Sequence, residues 1–127
     1  MSMRTPLGRI RGLGSAKDGT GHWWAQRVTA LALVPLTVWF VASVIGMAGA
    51  DHASFVAWIA SPLVAGLMIL LIVATFHHAQ LGLQVVIEDY VHDEGIKVGA
   101  LLVMKAAAVL LGLTGVLAVL KIAVGGA

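Results

Sequence analysis

The sequence predicts an all-α membrane protein with three transmembrane helices. Of its 127 residues, 60% are hydrophobic and only 11% are charged, whereas a soluble domain is nearer half apolar and a quarter charged. The apolar residues form three stretches, each longer than the roughly 20 residues that cross the hydrocarbon of a bilayer. These stretches lack the alternating pattern of a membrane β-strand, and only a helix or a closed barrel satisfies its backbone hydrogen bonds in lipid.

We place the three spans at about residues 26–50, 55–87 and 98–124. The second stretch is longer than one crossing requires, so we expect it to tilt or to extend as a helix beyond the hydrocarbon. Pro62 falls within the first turns of that helix, where its missing amide donor is tolerated. The short connections predict an up-down-up arrangement. We expect the chain to form part of a hetero-oligomeric helical bundle, for a reason that the histidine of the second span gives below.

The basic residues predict the orientation in the membrane. They are concentrated ahead of the first apolar stretch, so the N-terminus is expected in the cytoplasm and the C-terminus outside. The apolar stretch that follows is too long for a cleavable secretory signal. We therefore expect residues 1–20 to be a basic tail of the mature chain and residues 21–127 to be the membrane anchor domain. The basic residues ahead of this stretch and at its start are Arg4, Arg9, Arg11, Lys17 and Arg27.

The absence of cysteine limits the chemistry that the chain can carry. It excludes disulfides, thiolate metal sites and cysteine nucleophiles. The net charge of +2 is small, and we expect no nucleic acid among the partners. What remains are the polar side chains inside the spans, which are costly in lipid and are therefore functional candidates by default.

The second span carries a histidine that is suited to ligate a haem. His78 lies ten residues before Glu88, about 15 Å below the cytoplasmic boundary and close to mid-bilayer. Gly82 shares its helical face and leaves a gap for a flat macrocycle. One imidazole supplies only one axial ligand, so a six-coordinate haem would need a ligand from another polypeptide. A histidine that only hydrogen-bonds a neighbouring helix explains the spacing equally well. His77 faces about 100° away, and we expect it to pack or to hydrogen-bond.

Two further sets of polar residues lie near the cytoplasmic interface. The phenol of Tyr90 can donate a hydrogen bond to a quinone carbonyl, and Asp89 can orient that phenol or relay a proton. On the residues alone, an interfacial tyrosine beside an exposed carboxylate is the favoured interpretation. Arg27, with help from His22, can pair with anionic haem propionates or can extend to lipid phosphates, and both interpretations stay open.

The segment HAQLGLQVVIEDYVHD, residues 78–93, resembles the hydrophobic membrane anchor of succinate dehydrogenase, respiratory complex II. The family pattern has a histidine, a glycine four residues later, Gln-Val, and then Asp-Tyr-Val, with ten residues between the histidine and the aspartate. His78, Gly82 and residues 84–85 and 89–91 match it. The segment GHWWAQRVTA, residues 21–30, is similar to alphaproteobacterial members in particular. Elsewhere the similarity is one of hydropathy and layout.

This resemblance implies a role for each candidate residue. His78 would ligate haem b opposite a ligand from the cytochrome b subunit of the complex, with Gly82 in the pocket. Tyr90, beside Asp89, would hydrogen-bond ubiquinone. Arg27 and, as a weaker match, His22 would lie near the haem propionates.

The resemblance also implies partners and a location. The partners would be the cytochrome b subunit, the iron–sulfur subunit, the flavoprotein subunit, and the lipid bilayer, in the inner membrane of a bacterium. The chain offers no flavin or cluster ligands, so we expect a subunit that does not itself oxidise succinate. The anchor of a quinol:fumarate reductase, a haem-free transporter or proton-conducting bundle, and a purely structural tether stay open as alternatives.

Overall fold

The computed structural model describes residues 5–10 and 17–125, and within them the chain is helical apart from short connections. This confirms the predicted all-α fold. Three of the helices are long and apolar enough to cross a membrane, over Gly19–Gly46, Pro62–Tyr90 and Glu94–Gly125. The helices in chain order are α1 (Pro6–Ile10), α2 (Lys17–Gly46), α3 (His52–Ala60), α4 (Pro62–Tyr90) and α5 (Glu94–Gly125).

The first long helix begins and ends earlier than the predicted first span. α2 starts at Lys17, within the segment that we predicted as a tail, and it ends at Gly46. A turn follows in which Gly49 has a φ of 83°. This left-handed backbone conformation suits a residue without a Cβ atom. The rest of the predicted tail is helical at α1, and residues 1–4 and 11–16 lie outside the described residues.

The predicted second span is divided into two helices, which differs from the single long helix that we expected. α3 ends before Ser61, whose φ of −61° and ψ of 126° are extended, and α4 begins at Pro62. The residue before a proline is sterically disfavoured in the helical region, and proline itself fits the first position of a helix. Pro62 therefore starts a new helix instead of lying inside the first turns of a longer one.

A side-chain cap defines the start of α3. The Oδ1 atom of Asp51 accepts a hydrogen bond from the backbone N–H of Ser54 at 2.9 Å. Hydrogen bonds from Ser54 hold the pKa of the Asp51 carboxyl below its usual value, because they stabilise the charged form. This interaction satisfies one of the free amide groups at the helix start.

α4 is the central helix of an open row. It packs against α2 on one side and against α5 on the other, whereas α2 and α5 make no contact with each other among the described residues. Trp39 of α2 stacks on Trp58 of α3, with ring centroids 6.0 Å apart. Among the described side chains, only four hydrophobic residues are buried: Ile59, Ala65, Leu81 and Val119. The remaining apolar surface must face lipid or other polypeptides.

The contact between α4 and α5 is closest at two glycines of α5. A methyl group at Gly115 would lie 3.3 Å from Cγ2 of Ile72, and one at Gly112 would lie 3.5 Å from Cδ2 of Phe76. Small residues allow helix backbones to approach closely in a membrane, where packing replaces the hydrophobic driving force.

We expect Gly115→Leu to force α4 and α5 apart. Overpacking of a close contact costs about 1–3 kcal/mol, so the thermal transition of the detergent-purified protein should fall. Gly99→Leu on the same helix is the matched control, because a Cβ atom there meets nothing within 4 Å among the described residues. Equal transition temperatures for the two variants would contradict the described packing.

Candidate functional site

A polar crevice lies between α2 and α4 at the end where α2 begins and α4 finishes. We define the α2–α4 crevice by His22, Gln26 and Thr29 on α2 and by His78 and Gly82 on α4. The three residues of α2 are spaced at i, i+4 and i+7, so they share one face of the helix. His78 and Gly82 share one face of α4 in the same way. The crevice therefore brings together polar side chains from two spans.

His78 is the residue of the crevice that could hold a metal. Its side chain is half-buried, and its Nδ1 atom lies 3.0 Å from the hydroxyl oxygen of Thr29. The Nε2 atom has no hydrogen bond to any described residue. An imidazole that is held through one ring nitrogen and free at the other has the arrangement of a metal-ligating histidine.

His77 faces a different part of the molecule. It is exposed and lines an open groove of about 330 Å³ between α4 and α5, together with Phe76 and Gly112. No hydrogen bond of its side chain is found within the described part of the chain. The two adjacent histidines thus face different neighbours, His78 toward α2 and His77 toward α5.

The crevice contains two buried polar atoms without a partner. The Nε2 atom of His22 and the Oε1 atom of Gln26 are inaccessible, and neither has a hydrogen bond among the described residues. A methyl group at Gly82 would lie 3.6 Å from Nε2 of Gln26, so this amide lies over the glycine. An unsatisfied buried polar group costs about 1–3 kcal/mol. An N–H at Nε2 of His22 could donate to a carboxylate, so this residue fits a haem that carries propionates, whereas Oε1 of Gln26 is an acceptor and needs a donor.

The crevice opens toward the C-terminal end of α4. A cavity of about 310 Å³ lies there, lined by Gly19, His22, Gln84, Val85 and Glu88. The side-chain amide of Gln84 donates a hydrogen bond to Glu88 at 2.9 Å. Three of the five lining residues, His22, Gln84 and Glu88, are polar.

Asp89 and Tyr90 are the last two residues of α4, beyond this opening. Both are exposed, and Tyr90 is 78% exposed. Neither side chain has a hydrogen-bond partner in the described segments. Twelve residues separate Tyr90 from His78, which is about 18 Å along a helix. The structure therefore holds the two candidate sites apart, with free phenol and carboxylate groups at the second.

Arg27 is not part of the crevice. Arg27 lies five positions after His22, so the two side chains are about 140° apart around the helix. The Arg27 side chain is exposed. Its Cζ atom lies 5.1 Å from the centre of the Trp23 ring. This ring in turn packs edge-on against Trp24, with centroids 5.0 Å apart. The role of Arg27 at the propionates stays a prediction.

Sequence reasoning missed two residues of the crevice, Gln26 and Thr29. Both continue the helical stripe that starts at His22, so polar residues at i, i+4 and i+7 were the available signal. Within the described ranges, no three His, Cys, Asp or Glu side chains come together to hold a metal ion. An iron bound to His78 would take its other ligands from elsewhere.

Comparison with known proteins shows the class to which this membrane protein belongs, the membrane subunits of a respiratory complex. The family described as succinate dehydrogenase/fumarate reductase transmembrane subunit matches residues 1–115. The chain therefore belongs to this family, and the resemblance seen in the sequence is confirmed.

Relatives within the family are succinate dehydrogenase hydrophobic membrane anchor subunits. The chain is 32% identical to that of Rickettsia bellii over 88 residues. The aligned region covers 69% of this chain and 70% of the relative. The chain is 35% identical over 86 residues to that of Paracoccus denitrificans, which covers 68% and 67% of the two chains. These similarities support a multi-pass membrane anchor subunit of succinate dehydrogenase.

Proposed function

We propose that this chain is the hydrophobic membrane anchor of succinate:ubiquinone oxidoreductase and that it forms a haem b pocket and part of the ubiquinone-reduction site. The observation that carries the proposal is the half-buried imidazole of His78, which contacts Thr29 through Nδ1 and is free at Nε2. Membership of the family supplies the context in which such an imidazole has a function.

Three residues of the crevice, together with Arg27 outside it, would hold the haem. His78 would ligate the haem iron through Nε2, and Gly82, one turn away beneath the Gln26 amide, would line the pocket. The buried Nε2 atom of His22 can donate to a propionate once it carries a proton. Arg27, near the same end of the molecule, supplies positive charge for the carboxylates. Haem b would contribute a one-electron redox centre, whose potential depends on these neighbours.

The open row of helices favours a second polypeptide of the complex as the source of the other axial ligand. Since α2 and α5 do not meet in the described structure, both faces of the row around α4 are available to other polypeptides. We assign the second ligand to the cytochrome b subunit. The iron–sulfur and flavoprotein subunits would dock on the cytoplasmic side, where the basic N-terminal residues lie under the positive-inside rule. In this orientation the chain spans the inner membrane of a bacterium and its C-terminus lies on the periplasmic side.

The exposed end of α4 supports a ubiquinone site. The phenol of Tyr90 would donate a hydrogen bond to a quinone carbonyl, and Asp89 would relay a proton as the quinone is reduced. Both side chains are free for this role in the described structure. The chain would bind and protonate the quinone and leave succinate oxidation to the flavoprotein.

A quinol:fumarate reductase anchor is the second candidate, because the family description includes both enzymes. The relatives named above favour the succinate dehydrogenase assignment.

Purification of the tagged chain from its native membrane tests the proposal. We expect it to bring with it a cytochrome b, an iron–sulfur protein and a flavoprotein, and to show a reduced b-type absorption band. Purification of the intact complex without that band would contradict the haem assignment, and purification without those partners would contradict the function as a whole.

A further inference from the structure

One hydroxyl of α2 touches the imidazole that we assign as the haem ligand on α4. The Oγ1 atom of Thr29 lies 3.0 Å from Nδ1 of His78. The same oxygen lies 2.7 Å from the backbone carbonyl of Ala25 and 3.1 Å from that of Gln26. The contact joins two spans, because the two residues lie 49 positions apart in the sequence.

The neighbours of Thr29 decide which group donates in this contact. A threonine hydroxyl has one hydrogen and two lone pairs. The short distance to Ala25 assigns the hydrogen to that carbonyl, which leaves a lone pair for the N–H at Nδ1 of His78. The reverse arrangement would protonate Nε2, for which no acceptor exists among the described residues. The geometry therefore favours the tautomer with the proton on Nδ1 and the lone pair on Nε2.

We propose that Thr29 is the positioning residue of His78. This inference rests on the proposed haem site and adds a residue to it. The hydroxyl, itself anchored on the Ala25 carbonyl, accepts a hydrogen bond from the Nδ1–H and so fixes both the tautomer and the plane of the ring. The Nε2 lone pair is then presented to the iron without prior rearrangement. A residue of α2 thus sets the tautomer and the ring orientation of the histidine on α4.

Removal of the hydroxyl should weaken haem binding without removing the ligand. In Thr29→Val the Nδ1–H has no acceptor and the ring can rotate, and loss of such outer partners typically costs about 10- to 100-fold in metal affinity. We expect haem transfer from the purified complex to an apo-globin acceptor to accelerate by about the same factor. The haem midpoint potential should rise, because a less basic imidazole stabilises ferric iron less.

Two further variants separate positioning from packing. Thr29→Ser keeps the hydroxyl and should restore slow haem transfer and the original potential. Thr114→Val is the matched control, because Thr114 makes the same 2.7 Å bond to a carbonyl four residues earlier but is exposed on α5. Thr29→Cys keeps the volume and offers only a weak sulfur acceptor. It should behave like Thr29→Val, so a folding defect of the valine variant leaves the comparison with serine intact.

The outcomes distinguish this inference from the proposed function. If His78→Ala loses haem while Thr29→Val and Thr29→Cys match Thr114→Val in both transfer rate and potential, the positioning role is wrong and the haem site stands. If His78→Ala keeps its haem, the haem site itself is wrong. Transfer that is as fast in Thr29→Ser as in Thr29→Val would overturn the positioning role, because serine keeps the hydroxyl.

Discussion

The His78→Ala complex is expected to lose its b-type absorption band on reduction with dithionite. The substitution would remove the proposed bond from iron to Nε2 of His78, the ring nitrogen of this residue that does not contact Thr29. Loss of a direct ligand should exceed the roughly 10- to 100-fold cost of losing an outer partner. The haem content per complex, measured as the pyridine haemochrome, should therefore fall by at least about tenfold.

The adjacent histidine supplies the control for this experiment. His77 has the same chemistry and the same depth in the span, but it is exposed on the groove between α4 and α5. We expect His77→Ala to keep its band and its haem content. A normal band in His78→Ala, or an equal loss in both variants, would contradict the assignment of the ligand to His78.

The fold could be predicted from the sequence because the bilayer leaves few options. A long apolar stretch must satisfy its backbone hydrogen bonds internally, so length and hydropathy are enough to predict the three spanning helices. The break at Ser61 was missed because hydropathy does not respond to backbone conformation. The signal was present, since a residue before proline is disfavoured in the helical region. Pro62 was interpreted as tolerated when it was in fact a helix start.

The candidate site could be predicted along each helix but not between helices. Helical periodicity places Gly82 on the face of His78 without any knowledge of packing. Which face of α2 meets α4 depends instead on how the side chains of both helices interdigitate. For this reason Thr29 and Gln26 were missed, and Arg27 was grouped with His22 although the two lie on different faces. His22 does lie in the crevice, on the stripe that faces α4.

Tyr90→Phe is expected to slow ubiquinone reduction by succinate by about 100-fold, the lower end of the range for loss of a positioned proton donor. The substitution removes only the phenolic O–H. Because Tyr90 is 78% exposed and has no hydrogen bond within residues 17–125, the fold of the chain loses nothing. Succinate oxidation with an artificial dye that bypasses the quinone should be unchanged, as should the haem spectrum.

A tyrosine that merely anchors the helix at the interface gives the opposite result. The aromatic ring alone would be sufficient to anchor the helix, and Tyr90→Phe would retain full ubiquinone reductase activity. Trp24→Phe is the control for interfacial anchoring, because Trp24 is an exposed aromatic residue near the start of α2 with no place in the proposed site. Asp89→Asn adds a second measure, since loss of a proton relay should slow the reaction while the neighbouring phenol is intact. Slow ubiquinone reduction in Tyr90→Phe and Asp89→Asn, with normal rates in Trp24→Phe, would place the proton donor at the end of α4. The quinone would then react at a site separate from His78, which lies about 18 Å away along the same helix.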